Sequence, residues 1–284
     1  MKTIQLYARM PEGMIKAGTA LGISSYDLLV HGEDTLVLKP DLSPLFILLR
    51  GRCPRNMQER VLPSFRKAAL SYGSLENRGT AVGVGTMKRH WKLDGSMSKT
   101  NRVRVGDLPE LENSAAGVAG FAEPVARYPF CRQTAFNREQ AAHYEWLLEY
   151  AQLGAVLYSE YAPELWAQQN ALSEKTHPAW VLPRTPFTTL TINRNWRTKV
   201  HTDKGDSGFG VMGVLGNERW SGANLVFPLW RIAAELRPGD FILDDVHEWH
   251  CNTELEGTPG HERISVVMYY QTAMQECGTP EQER

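Results

Sequence analysis

Four cysteines (Cys53, Cys131, Cys251 and Cys277) are all that 284 residues contain, and no two form a Cys-x-x-Cys pair. Such sparse, scattered thiols exclude a disulfide-framed scaffold and a cysteine zinc cluster, and are expected to be free thiols of an intracellular protein. No apolar run approaches the ~20 residues that span a bilayer. The opening Met1-Lys2-Thr3-Ile4-Gln5-Leu6 also lacks the apolar centre of a signal peptide, so neither a membrane nor a leader is expected. Internal repeats and low-complexity tracts are missing too, which leaves a solenoid unsupported. With 42% hydrophobic and 22% charged residues, disorder as the dominant state is excluded. One domain over 1–284 is expected, acting as a monomer.

Net charge is nearly absent as well, at −1, which by itself gives no reason to expect a polyanion partner. Its distribution does. Between Arg50 and Arg104 there are 13 Lys/Arg against 3 Asp/Glu, a local excess of +10 that leaves −11 for the remainder. A basic stretch of that kind points to nucleic acid, or else to a solvated face docked on the acidic remainder. Lys88-Arg89-His90-Trp91-Lys92 and Lys99-Thr100-Asn101-Arg102 interleave phosphate-pairing and base-stacking types. The glycine-rich stretch 73–85 lacks the Lys-Ser/Thr ending of a P-loop, so a nucleotide-phosphate cradle is not expected.

Three stretches follow from the periodicity. Residues 1–135 form a basic, loop-rich part, with short strands before residue 50, a short helix over 61–70 whose start Pro63 limits, and a connecting loop over 106–128. Residues 136–175 form a helical layer. Asn137 is the expected N-cap with Gln140 in a capping box, the helix runs to about Tyr158, and a second spans 163–171. From Pro186 the period becomes that of strands, at 187–193, 199–203, 208–215, 224–227, 232–236, 240–244 and 264–271. That series predicts an α+β chain whose sandwich or barrel core occupies 186–272.

The core carries the chemistry. Residues two apart on a strand share a face, so His201 and Asp203 project together. Adding a distal histidine 49 residues later at His250, and Arg263 thirteen beyond that, gives the sequence form of a 2-His-1-carboxylate site for Fe(II). The bland alternative is a structural His/Asp pair. His247 and His250 have opposite parity, so one of them faces the metal. His250 is the candidate, because Cys251-Asn252-Thr253 reads as a strand leading away from the site, and His247 is then a supporting residue. Arg263 and Ser265 share a strand face, where a guanidinium fork and a hydroxyl suit the distal carboxylate of 2-oxoglutarate.

Several of these stretches resemble the TET/JBP family of Fe(II)/2-oxoglutarate dioxygenases. They are Asn193-Arg194-Asn195-Trp196-Arg197-Thr198-Lys199-Val200-His201-Thr202-Asp203, Trp220-Ser221-Gly222-Ala223-Asn224, Pro238-Gly239-Asp240, His247 to Thr253, and Arg263-Ile264-Ser265. Glu76-Asn77-Arg78-Gly79-Thr80-Ala81 is similar to a loop in the family's N-terminal half. The resemblance implies a double-stranded β-helix core of jelly-roll type, flanked by helices and an N-terminal basic extension. It implies Fe(II) and 2-oxoglutarate as cofactors with O2 as co-substrate. His201, Asp203 and His250 take the place of the metal ligands, and Arg263, Ser265, Arg197 and Asn193 accompany the oxo acid. Asp206, Asn77 and Arg78 are expected at the base, and Lys88, Arg89, Lys92 and Arg102 on the DNA backbone. The implied partner is double-stranded DNA carrying a methylated pyrimidine, with 5-methylcytosine oxidised to 5-hydroxymethylcytosine, in the cytoplasm or nucleus. Thymine hydroxylation is the alternative, because the strand after Arg263 runs Val266 to Gln271 without the histidine that helps read cytosine in some relatives. An oxygenase acting on a small molecule or a protein, a nucleic-acid N-demethylase and a non-catalytic DNA-binding module are the further rivals.

Overall fold

The longest strands carry the sheet on which everything else packs. In the computed structural model, which describes residues 1–71, 114–125 and 128–283, β15 (Arg263–Gln271) lies between β8 (Asp206–Gly216) and β7 (Thr189–Arg194), antiparallel to both. The β-branched and aromatic content of β15 suits a pleated, buried surface. Among the described residues the sheet has nine strands, in the order β1 (Lys2–Gln5), β3 (Thr35–Leu38), β4 (Pro44–Leu49), β12 (Phe241–Asp244), β8, β15, β7, β5 (Ala115–Ala122) and β6 (Arg132–Gln133).

Strand parity divides the core. Ile264, Val266 and Met268 of β15, with Phe241 and Leu243 of β12, face a helical layer of α1 (Arg55–Ser71), α3 (Ala141–Tyr161) and α4 (Pro163–Ser173). Phe65, Tyr150 and Tyr158 from the helices join them in that cluster. Met212, Val214 and Ile242 face the other way, toward a smaller sheet ordered β13 (Cys251–Asn252), β10 (Leu225–Phe227), β11 (Ile232–Ala234) and β2 (Leu28–Val30). A two-stranded ribbon of β14 (Leu255–Gly257) and β9 (Trp220–Gly222) closes one end. This is the double-stranded β-helix with flanking helices. Among the described residues no helix is long and apolar enough to cross a membrane.

Several expectations are corrected. The stretch 106–128 contains β5, a fully paired strand of Ala, Gly, Val and Phe. Gly117 lies so close to α1 that a Cβ there would sit 2.3 Å from the Ala68 carbonyl oxygen. Small residues were needed for contact, at the expense of β-propensity. Helix α1 begins at Arg55 with Pro63 inside it. The Met57 and Gln58 amides donate to the Pro54 carbonyl at 3.0 Å each, and burial of Val61, Phe65, Ala68 and Ala69 outweighs the missing amide of Pro63. Asn137 is not an N-cap. It lies inside a short α2 (Ala135–Glu139) capped by Thr134, and its Oδ1 accepts from the Gly120 amide at 2.9 Å. Residues 199–203 are not a regular strand; an isolated bridge between His201 and His250, with backbone hydrogen bonds from Val200 to Thr19 and from Asp203 to Val246, holds them in place. Cys131 and Cys277, 146 residues apart, form a disulfide with Cα atoms 5.8 Å apart, whereas Cys53 and Cys251 are free and buried. Pairing followed spatial proximity, which spacing in the chain did not reveal. Residues before Arg55 are woven into the fold, since β4 pairs with β12 over four positions.

Candidate metal centre and its pocket

Two irregular segments are zipped together to make the site. His201 and His250 exchange backbone hydrogen bonds at 3.0 Å in both directions, the Asp203 amide donates to the Val246 carbonyl at 2.9 Å, and the Asn252 amide donates to Thr198 at 3.0 Å. This pairing brings one ligand-type atom from each of His201, Asp203 and His250 within 4.8 Å of the others. His201 Nε2 lies 3.5 Å from one Asp203 oxygen, and His250 Nε2 lies 3.6 Å from the other. Each imidazole Nδ1 faces a carbonyl two residues back, Lys199 at 2.8 Å and Glu248 at 2.9 Å. A carbonyl only accepts, so Nδ1 carries the proton and Nε2 is presented to the cluster, the tautomer a metal ligand needs.

Charge around the cluster is uneven. Burial works to lower the His250 pKa, but hydrogen bonding to Asp203 and the charges of Asp203 and Asp244 outweigh it, putting it at about 9. Burial pushes the Asp244 carboxyl up to about 7, with His250 pulling the other way. The Asp203 carboxylate and two imidazole Nε2 atoms form a donor set for a divalent cation, whose binding would displace the His250 proton. His247 is outside this cluster. Its ring contacts Asp245 Oδ1 at 3.2 Å through Nδ1, and its Nε2 donates to the Asp206 carbonyl at 3.0 Å.

Arg263 is the other unusual group. It is 1% exposed, its Nε and Nη2 have no hydrogen-bond partner, and its guanidinium sits 5.6 Å from the Trp220 ring centroid. Burial pushes its pKa down to about 10. A buried cation with unpaired donors costs several kcal/mol unless an anion completes it. A carboxylate with two acceptor oxygens is the matching shape. The donor set at His201, Asp203 and His250 suits Fe(II), and the orphaned nitrogens of Arg263 suit an oxo diacid.

A cavity of about 340 Å³ runs from this centre along the inner face of the large sheet. Asn193, Ser265 and Asp206 line it. Arg197 does not. Its Nη2 donates to the Leu21 carbonyl at 3.2 Å and its Nη1 lies 3.6 Å from Glu254. Asn77, Arg78, Lys88, Arg89, Lys92 and Arg102 lie outside the described residues. Sequence reasoning missed Thr189, Thr191, Tyr269 and Gln271, which form the cavity's far wall. Tyr269 Oη lies 3.0 Å from Thr191 Oγ1, and Thr189 Oγ1 donates to Gln271 Oε1 at 3.2 Å. Strand parity was the available signal, because Arg263, Ser265, Tyr269 and Gln271 alternate on one face.

Comparison with known proteins bears on this arrangement. Residues 120–272 match the Tet_JBP profile, described as the oxygenase domain of the 2OGFeDO superfamily. Thymine dioxygenase JBP1 of Trypanosoma brucei brucei is 32% identical over 178 residues, covering 60% of this chain and 20% of that protein. The bifunctional helicase and thymine dioxygenase JBP2 of Leishmania tarentolae is 38% identical over 151 residues, covering 51% of this chain and 13% of JBP2. The chain thus spans a fifth or less of the length of these relatives. Among solved structures, NgTET1 in complex with 5mC DNA superposes with a TM-score of 0.58 at 13% identity, over 87% of this chain and 82% of that one, a likeness of fold.

Proposed function

The chain belongs to the TET/JBP family of oxygenases within the 2-oxoglutarate/Fe(II) superfamily, and from that premise we propose that it oxidises the 5-methyl group of a pyrimidine base in DNA. The observation that carries the proposal is the convergence of His201, Asp203 and His250 in a cavity also lined by Ser265, whose strand carries, two residues earlier, the buried Arg263 with donors that lack a partner. Those three residues would hold Fe(II). Together with 2-oxoglutarate and O2, the bound metal supplies the oxidising power to hydroxylate an unactivated C–H bond, releasing succinate and CO2.

The side chains divide the remaining work. Arg263 takes the distal carboxylate of the oxo acid in fork geometry, held in place by stacking on Trp220, with Ser265 adding a hydroxyl. Met212, Leu225, Val246 and Val267 give the cavity apolar walls that exclude water from the reacting methyl. Tyr269 offers a ring face, while Asp206, Gln271 and the two threonines offer polar contacts to a base edge. A base in a duplex reaches this cavity only by leaving the stack, which costs a few kcal/mol. Arg50, Arg52, Arg60 and Arg66 of the basic stretch are engaged by Asp240, Asp34, Glu149 and Glu262, so the polyanion reading rests on Lys88, Arg89, Lys92 and Arg102 on phosphates, with Asn77 and Arg78 toward the base. A DNA substrate accords with an intracellular protein.

Thymine is the first reading of the base, supported by relatives 32% and 38% identical that are thymine dioxygenases. 5-Methylcytosine is the second, favoured by Asp206 on the cavity wall, since a carboxylate accepts from the cytosine amino group. Incubation with Fe(II), 2-oxoglutarate and duplex DNA, followed by nucleoside mass spectrometry, tests both. Hydroxymethyluracil supports the first, hydroxymethylcytosine the second, and neither product sinks the proposal, with His201→Ala as the inactive control.

A further inference from the structure

A second hollow, of about 440 Å³, adjoins the cavity beyond β5. Val118, Ala122 and Arg132 line both spaces and so form the ridge between them. On the far side of the ridge stand Tyr128 and Phe130, their rings edge to face with centroids 6.1 Å apart. Tyr128 is 39% exposed. Arg132 lies over the Tyr128 ring at 4.9 Å, and its Nη1 donates to the Glu123 carbonyl at 2.7 Å, which aims the guanidinium along the ridge. Arg138 stands across the hollow, fixed by donation from Nη1 to the Gln133 carbonyl at 2.7 Å. Among the described lining residues there is no acid, so the hollow carries two cations and an aromatic platform.

The platform is also anchored. Cys131, between Phe130 and Arg132, is buried and tied by its disulfide to Cys277, and its amide donates to Glu283 Oε2 at 2.6 Å. Two aromatic rings set edge to face and flanked by arginines suit a flat, anionic ligand, which can stack on one ring against the edge of the other while a guanidinium fork takes a phosphate. Continuity with the cavity says which ligand. A polynucleotide with one base in the cavity must lead its backbone out across a rim, and the Arg132 ridge offers that rim a positive charge.

We propose that this hollow seats the nucleotide next to the reacting base on the same strand, its base against Tyr128 and Phe130 and its linking phosphate at Arg132, with Arg138 on the next phosphate. The inference rests on the DNA reading of the main cavity. It makes the enzyme sensitive to the identity and presence of one neighbour, on one side only.

The test uses the full chain and labelled duplexes carrying the methyl pyrimidine, intact or with an abasic site immediately 5′ or 3′ of it. Anisotropy gives affinity, and mass spectrometry of the same duplexes gives product. Loss of one neighbour, but not the other, is expected to weaken binding by about tenfold. Tyr128→Ala is expected to bind the intact duplex as weakly as that abasic one, and Arg138→Gln to lower the slope of log affinity against log salt by about one. Equal affinity for all three duplexes, or a Tyr128→Ala protein that still discriminates, overturns the inference. Product without discrimination leaves the methyl-oxidation reading standing and removes only the hollow's role. Discrimination without product does the reverse.

Discussion

The guanidinium of Arg263 is packed 5.6 Å from the Trp220 ring centroid, and that of Arg237 lies 5.1 Å from the same centroid. Arg237 has an acidic partner in Glu235 at 2.6 Å, and Arg263 has none for Nε or Nη2. The fold therefore spends stability to hold one cation ready for an anion. Replacing Arg263 by Met is expected to raise the melting temperature of the ligand-free protein, since an uncompensated buried charge is removed. The same change should raise the 2-oxoglutarate KM by about 100-fold or more, from the loss of two charged hydrogen bonds of about 1.5–3 kcal/mol each. Thermal shift with and without 2-oxoglutarate checks both. Stabilisation of wild type but not of the variant by the oxo acid is the expected pattern.

Glu262 is predicted to matter for stability rather than chemistry. Its carboxylate, 6% exposed, receives Arg66 at 2.6 Å and Arg194 at 2.9 Å, which ties α1 and β7 to the start of β15. Burial raises its pKa, but the two guanidinium partners outweigh that and hold it below the usual glutamate value. A depressed pKa gives stability that is present above the unfolded value and lost as pH falls through the folded one. Glu262→Gln is therefore expected to cost about 2 kcal/mol at pH 7. The deficit against wild type should shrink below about pH 4, where the unfolded carboxylate protonates. Urea denaturation across pH 3–7 measures it.

How much could be read beforehand depended on the physical signal each feature leaves. Arg263 and Ser265 declared a shared face because strand periodicity is simple; the same parity extends to Tyr269 and Gln271 on the pocket wall, although the sequence reading did not carry it that far. His201 and Asp203 come together although their segment is not a regular strand. Backbone bridges to Val246 and His250 hold it, and no local pattern encodes those. Strand β5 was invisible because close contact with α1 demands Ala and Gly, the residues that propensity reads as loop. The Cys131–Cys277 bond was hidden for another reason, since four cysteines allow several pairings and only the fold selects one.

Gly117 gives that contact a direct test. A Cβ there would meet the Ala68 carbonyl oxygen at 2.3 Å and its carbon at 2.9 Å, both backbone atoms that cannot rotate away. Gly117→Ala is expected to push α1 off the sheet and cost about 1–3 kcal/mol. For a chain of this size that is a fall in melting temperature of roughly 2–10 °C. Gly205, where an added Cβ would meet nothing within 4 Å, is the control, and Gly205→Ala should leave the melting temperature within about 1 °C.

The two histidines on either side of Glu248 and Trp249 should separate cleanly in metal affinity. His250 presents Nε2 to the cluster, so His250→Ala removes a ligand and is expected to weaken Fe(II) binding by more than about 100-fold. His247 instead links Asp245 to the backbone of Asp206, joining the turn after Asp203 to the turn before His250. His247→Ala leaves all three ligands in place and loosens only their support, so a loss nearer tenfold is expected. Titration of the apoprotein with Fe(II) under anaerobic conditions, or with Mn(II) followed by electron paramagnetic resonance, reads both variants without turnover. Equal losses, or a larger loss from His247→Ala, would move the third ligand from His250 to His247 and break the assignment of the centre.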